Sequence, residues 1–315
     1  MNCFISTNTD IYYNLALEEF LLKNRSEDFF FLWQSKPVVV VGKHQNPYKE
    51  IDINFAIDNQ IQVARRLSGG GTVYQDLGGI NFTFIKNTEE GKQINLKQHS
   101  KPIFDALNIL GLNVNYSDRN DLLLNDKKIS GNAEHVYKNR VLHHGTLLFN
   151  SNLDRLEQVL KNNYEQYTDK TIVSVKSKVA NIQPYLQQKI SVIDFQKNIL
   201  NLVIEQSSVN FQIEEPQCPQ IEKLKVQKYK TEDWIFAYTS KYELRNYLNI
   251  DGVEYSYSLK VQKGIITEFE VDNLNQEIFQ EIKKKLIKQR HLYKTLQEIL
   301  LSFPKEYRCL YRNMF

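Results

Sequence analysis

The stretch Arg65-Arg66-Leu67-Ser68-Gly69-Gly70-Gly71-Thr72-Val73-Tyr74 decides how this chain is read. Three consecutive glycines leave backbone N–H groups unshielded by any Cβ, so such a loop can close on an anion and donate several hydrogen bonds. Two arginines directly before it supply fixed charge in a bidentate fork, which suits a nucleotide phosphate. No GxxxxGK[ST] is present, so this is not a Walker A loop. Strand pattern rather than helix pattern follows the glycines, so it is not a Rossmann turn either. On its own the stretch is equally compatible with a hairpin turn flanked by surface arginines.

Working outward, Asp10 can N-cap a helix from Ile11 to Lys23. Phe29 to Trp33 and Val38 to Val41 are apolar runs of strand length, split by Ser35-Lys36-Pro37. A loop from Gly42 to Asp52 and a short helix near Asn54 to Asn59 precede a strand from Ile61 to Arg66. After the glycines, Thr72 to Gln75 and Ile80 to Ile85 read as a hairpin turning at Leu77-Gly78-Gly79. A helix from Lys101 to Leu110 ends at Gly111. Strands follow at Val114 to Tyr116, Leu122 to Leu124, Lys128 to Ser130 and Val141 to Phe149. Leu153 to Lys161 and Ile190 to Gln206 read as helices, and Glu214 to Pro219 as a connector. The chain then changes style. A hairpin at Val253 to Leu259 and Gly264 to Val271 precedes helices near Gln276 to Gln289 and Tyr293 to Ser302, which together make a small α+β module. The boundary is expected at Tyr247 to Gly252, dividing the chain into 1–247 and 248–315.

Two further stretches carry chemistry. Asn120-Asp121-Leu122 leads through a turn to Lys128-Ile129-Ser130-Gly131-Asn132-Ala133. A lysine on a strand followed by small residues can project into a site floored by backbone, and Asp121 offers oxygen to Mg²⁺. The plainer reading is an exposed hairpin tip. The other stretch is His143-His144-Gly145-Thr146-Leu147-Leu148. Adjacent residues of a strand face opposite ways, so the two histidines cannot share one site. No HExxH or Cys/His cluster exists, which argues against zinc.

The 315 residues suffice for one large domain with a sizeable core, or for a large and a small one. Forty Lys+Arg against 37 Asp+Glu leave a net charge of +3, too balanced to argue for nucleic acid. Three scattered cysteines, Cys3, Cys218 and Cys309, form no metal cluster and fit a reducing compartment. No apolar run approaches the length of a membrane span, and the N-terminus lacks a signal-peptide pattern, so a cytoplasmic protein is expected.

Together the three stretches resemble the lipoate–protein ligase A family. The family's RR-x-SGGG-x-V loop and following D-x-G-x-x-NF-(S/T)-F stand here as Arg65 to Tyr74 and Asp76 to Phe84. Its ND-(L/I), K-(I/V)-SG-x-A and HHGTLL stand as Asn120 to Leu122, Lys128 to Ala133 and His143 to Leu148. Gly42 to Glu50 and Ser174 to Asn181 match as well, so the resemblance spans essentially the whole chain. It implies an α+β fold: a mixed β-sheet catalytic domain flanked by helices, biotin/lipoate ligase-like, with a small C-terminal accessory domain that moves about a linker near Tyr247. It implies activation of lipoate with ATP to lipoyl-AMP, then transfer to a lysine of an apo lipoyl domain of a 2-oxoacid dehydrogenase E2 subunit or of glycine-cleavage H protein. Lys128 is then catalytic, touching the lipoyl carbonyl and the α-phosphate. Arg66, Gly71, Thr72, Val73, Tyr74 and Asp121 contact the adenylate, with Asp121 a ligand for Mg²⁺. Ser68, Gly70, His144 and Gly145 shape the lipoate pocket. ATP and Mg²⁺ are co-substrate and activator, and no tightly bound organic cofactor is expected. No cysteine lies near Lys128 in sequence, which argues against the acyl-enzyme chemistry of related transferases. A transferase using preformed lipoyl-AMP and a non-catalytic lipoate-binding protein are the competing readings.

Overall fold

Phe29–Trp33 and Val38–Val41 lack the alternation of a half-exposed strand, and both are buried along their whole length. They belong to different sheets. A computed structural model describes residues 1–89, 94–161, 164–207, 216, 218–250, 252–272, 277–308 and 310–315. Glu214, Glu215 and Gln217 of the expected connector, Asp251, Gln276 and Cys309 lie outside the described residues.

In chain order the strands are β1 (Asn2–Ile5), β2 (Phe29–Trp33), β3 (Val38–Val41), β4 (Gln62–Arg65), β5 (Val73–Gln75), β6 (Ile80–Asn87), β7 (Val114–Tyr116) and β8 (Leu122–Leu124). They continue as β9 (Lys127–Ser130), β10 (Asn132–Tyr137), β11 (Arg140–Leu147), β12 (Tyr167–Thr168), β13 (Tyr242–Ile250), β14 (Val253–Gln262) and β15 (Ile265–Val271). The main sheet has the order β1-β2-β6-β11-β10. Only its β1–β2 pairing is parallel, so it is mixed. Smaller sheets run β4-β3-β5, β7-β8-β9 and β12-β13-β14-β15.

Helix α1 (Ile11–Asn24) starts where the Asp10 side chain accepts from Tyr12 N, and nearly all its residues are buried. It lies between the two sheets, with Phe29, Phe31 and Trp33 of β2 and Val38 and Val40 of β3 around it. The alternate residues build the other cores. Phe30 and Leu32 pack, through the far face of the main sheet, on later helices: α4 (Leu96–Ile109), capped by Asn95, and α6 (Val192–Gln206), capped by Ser191. Between α1 and α4 come α2 (Pro47–Glu50) and α3 (Ile53–Asp58), and α5 (Leu153–Val159) follows β11. Val39 and Val41 pack instead into an apolar cluster that runs on through the C-terminal sheet to Phe315.

Three expectations are corrected. β5 and β6 form no hairpin: β5 pairs with β3, and β6 lies between β2 and β11. The turn between them carries the chain from one sheet to the other. Gly78 backs onto Asn150 so closely that an added Cβ would stand 2.1 Å from its carbonyl oxygen. The helix expected from Lys101 begins at Leu96, because Asn95 caps it and Pro102 is accommodated inside. The cut expected between 247 and 248 falls within β13, which pairs with β14 in unbroken register from Tyr242 to Ile250. A strand held along its length cannot serve as a linker or hinge, and β13 belongs to the sheet that holds β14 and β15. It even recruits β12 from the first part of the chain.

Candidate active site

The glycine loop leaves β4 and crosses the end of the main sheet. Gly70 has φ +85°, the left-handed region that a side chain disfavours, and its carbonyl oxygen lies where a Cβ on Gly42 would be, 2.2 Å away. Gly42 and Gly70 are therefore matched: neither tolerates a side chain. The loop roofs a cavity of about 320 Å³ between the two sheets. Arg66, Gly70, Gly71, Thr72 and Val73 form one wall. Asp121, Lys128, His144 and Gly145 form another.

Two expected site residues lie elsewhere. Tyr74 follows Val73 on a strand, so its side chain leaves the opposite face and is buried in the C-terminal cluster. Ser68 stands behind the wall, accepting from Arg66 Nε (2.9 Å) and bonded to His144 Nε2 (2.6 Å). The two arginines likewise diverge. Arg65 spends its donors on the carbonyls of Gly42, Lys43, Gln45, Trp234 and Ile235 and on Thr239 Oγ1. It is a structural rivet to the segment before β13. Arg66 donates to Val40 O, Gly69 O and Gly71 O besides Ser68, and so holds the loop. Burial lowers both guanidinium pKa values to about 10, which leaves them charged at neutral pH.

Lys128 is half-buried on β9, whose backbone pairs with β8 and with residues 178–180. Its ammonium forms a 3.0 Å ion pair with Asp121. Gly131 gives it room, since a Cβ there would lie 3.0 Å from both Lys128 Cε and Nζ. Asp121 is the one carboxylate among the residues lining the cavity. Mg²⁺ bound mainly through substrate phosphates and water needs no more than one or two carboxylates, so the donor set fits that ion.

The third wall was not anticipated as part of the site. The segment 171–177 has no regular structure, and Ile172, Val173 and Ser174 line the cavity. Ser174 Oγ accepts from Thr72 N (2.8 Å) and Gln45 Nε2 (3.0 Å), while Ser174 N donates to the Glu50 carboxylate. Asp169 anchors its start through Asn46, Lys49 and Thr171 N. Gln45, Asn46, Lys49 and Glu50 all come from the Gly42 to Glu50 motif, whose role is thus to strap this segment onto the glycine loop.

His143 and His144 leave β11 on opposite faces. His143 Nδ1 meets Glu134 Oε1 (2.9 Å), which also meets His99 Nδ1 (2.7 Å). Glu134 Oε2 accepts from Asn95 N (2.9 Å). Burial opposes ionisation of Glu134, but these hydrogen bonds prevail and hold its pKa at about 2. This is the one His/Cys/Asp/Glu cluster with ligand-like spacing among the described residues. Three N–H donors already satisfy both oxygens at hydrogen-bond distance, closer than the roughly 3.3 Å between ligands of a tetrahedral zinc ion with bonds near 2 Å. The cluster therefore clips α4 to β10 and β11.

Similar proteins agree with this architecture. Residues 10–203 match the family described as lipoyl protein ligase A/B catalytic domain. Lipoate–protein ligase 1 of Staphylococcus aureus is 39% identical over 244 residues, 76% of this chain and 74% of that protein. A probable lipoate-protein ligase A of Mycoplasma genitalium is 31% identical over 310 residues, 95% of this chain and 92% of that protein. Among solved structures, P. falciparum LipL1 in complex with lipoate shares the fold, with a TM-score of 0.63 at 22% identity, covering 98% of this chain and 96% of that one. No described helix is long and apolar enough to cross a membrane. By its sequence match, its mixed sheet and its glycine loop, this chain is a member of the lipoyl protein ligase A/B family.

Proposed function

We propose that this protein is a lipoate–protein ligase, which joins lipoate to AMP with release of pyrophosphate and then passes the lipoyl group to a lysine of an apo lipoyl domain or H protein. The observation that carries this reading is the position of Lys128, whose ammonium faces one cavity walled by the glycine loop on one side and by His144 and Gly145 on the other. A carboxylate attacking the α-phosphate of a polyanion meets charge repulsion, which fixed cations and aligned N–H donors lower. Lys128 would exchange Asp121 for the acyl carboxylate and the phosphate as both enter. Arg66 keeps the loop amides aimed at the nucleotide. Asp121, once released, would hold Mg²⁺, which supplies neutralisation of the phosphates. The carbon surfaces of Leu15, Val40 and Ile172 offer the apolar ring its wall.

The test is the intact mass of an apo lipoyl domain after incubation with the protein, Mg²⁺, ATP and free lipoate. The expected result is an ATP-dependent lipoyl mass gain. A gain with synthetic lipoyl-AMP alone would reassign the protein as a transferase, and no gain with either, across several acceptors, would reduce it to a binding protein.

A further inference from the structure

We infer that Glu18, buried in helix α1 and outside the cavity, is a positioning residue that fixes the proton arrangement of His144 and, through it, the cavity wall. The argument rests on hydrogen-bond polarity. Trp33 Nε1 can only donate, and it donates to Thr83 Oγ1 (3.0 Å). The Thr83 hydroxyl proton then goes to Glu18 Oε1 (2.7 Å). From the other side Arg66 Nε, also an obligate donor, donates to Ser68 Oγ (2.9 Å). The Ser68 proton points to His144 Nε2 (2.6 Å), which leaves Nδ1–H to donate to both Glu18 oxygens at 3.0 Å.

Two donor chains thus converge on one carboxylate, a group that when ionised accepts and never donates. Glu18 is 2% exposed, His144 8% and Ser68 0%, so water does not substitute for a missing link. The arrangement also limits what His144 does. Both its ring nitrogens are taken inside the protein, so it offers the cavity carbon alone. It serves there as a wall for an apolar acyl group and not as an acid or base.

Glu18→Gln keeps the shape and reverses the polarity. Thr83 must still find an acceptor, which holds the new carbonyl at the Oε1 position and puts the amide NH₂ against His144 Nδ1. An Nδ1–H would then meet an amide N–H head-on at 3.0 Å, which tips the imidazole toward accepting at Nδ1 and carrying its proton on Nε2. Nitrogen NMR of [¹⁵N]histidine protein reads this directly, the His144 signals being assigned by their loss in His144→Asn. In the unmodified protein the expected neutral ring has a protonated Nδ1 and a bare Nε2. In Glu18→Gln the two are exchanged, and in Glu18→Asp, still acceptor-only, they are not.

The kinetic arm rests on the ligase reading. In Glu18→Gln the KM for lipoate rises about tenfold while kcat stays within about threefold, because ground-state binding is lost. A purely structural role would lower kcat through loss of folded enzyme and leave KM alone. The inference is overturned by a protonated Nε2 in the unmodified protein, by unchanged His144 nitrogens in Glu18→Gln, or by a loss of kcat at constant KM. If the protein proves to have no ligase activity, exchanged nitrogens in Glu18→Gln still sustain the relay and only the ligase reading falls.

Discussion

Lys128 and Asp121 neutralise one another across 3.0 Å at the cavity wall, in a pair that is partly exposed and so easily exchanged for a better partner. Lys128→Ala should leave folding intact and lower both adenylation and transfer by a factor on the order of 10² to 10³, the usual loss when one aimed donor is removed from a developing charge. Release of pyrophosphate and transfer from supplied lipoyl-AMP check the two halves separately; normal rates in either would remove Lys128 from that half. Most of these residues were legible in the sequence, because glycine, lysine and arginine announce chemistry by their type. Direction was less legible. Arg65 and Tyr74 belong to the right motif and face away, since a strand gives alternate residues to opposite sides. Glu18 was invisible, being one of two glutamates in a largely apolar helix, with its partners 65 and 126 positions away.

At the level of elements, the apolar runs and capped helices came out close to their expected places. The strands that were missed are β1, β10, β12 and β13. β10 is half-buried throughout and reads Asn-Ala-Glu-His-Val-Tyr, with no apolar alternation to mark it. β12 has two residues and exists only because β13 pairs with it. β13 alternates buried and more exposed residues, but polar Asn246 stands at one of the inward positions and weakens the apolar pattern. Hydrogen exchange distinguishes the two readings of this segment. Amides that β13 commits to β14 should exchange as slowly as those of β14 itself, whereas a linker would exchange with no protection. Rapid exchange across 242–250 would restore the boundary at 247.

Over the whole molecule, His291 joins the parts. Its Nε2 donates to Met314 O (2.9 Å), Tyr242 donates to its Nδ1, and its own carbonyl accepts from Tyr48 of α2. Burial lowers its pKa from 6.5 to about 3. Below pH 6.5 the unfolded chain therefore gains a proton that the folded chain refuses, and stability is lost as pH falls, at up to about 1.4 kcal/mol per unit, levelling off near pH 3. Urea unfolding at pH 7, 6, 5 and 4 should show this decline. His291→Gln, less stable at pH 7, should show a shallower one, and equal slopes would contradict the assignment.

The apolar cluster that holds Val39 and Val41 together with Leu244, Leu259 and Phe315 has one more consequence. Two bodies that share a core cannot melt apart without each exposing oil to water. Calorimetry should therefore record one heat-absorption peak whose van't Hoff and calorimetric enthalpies agree. A small molecule held near Lys128 should then raise the melting temperature of the C-terminal sheet as much as that of the glycine loop, though it touches only one of them.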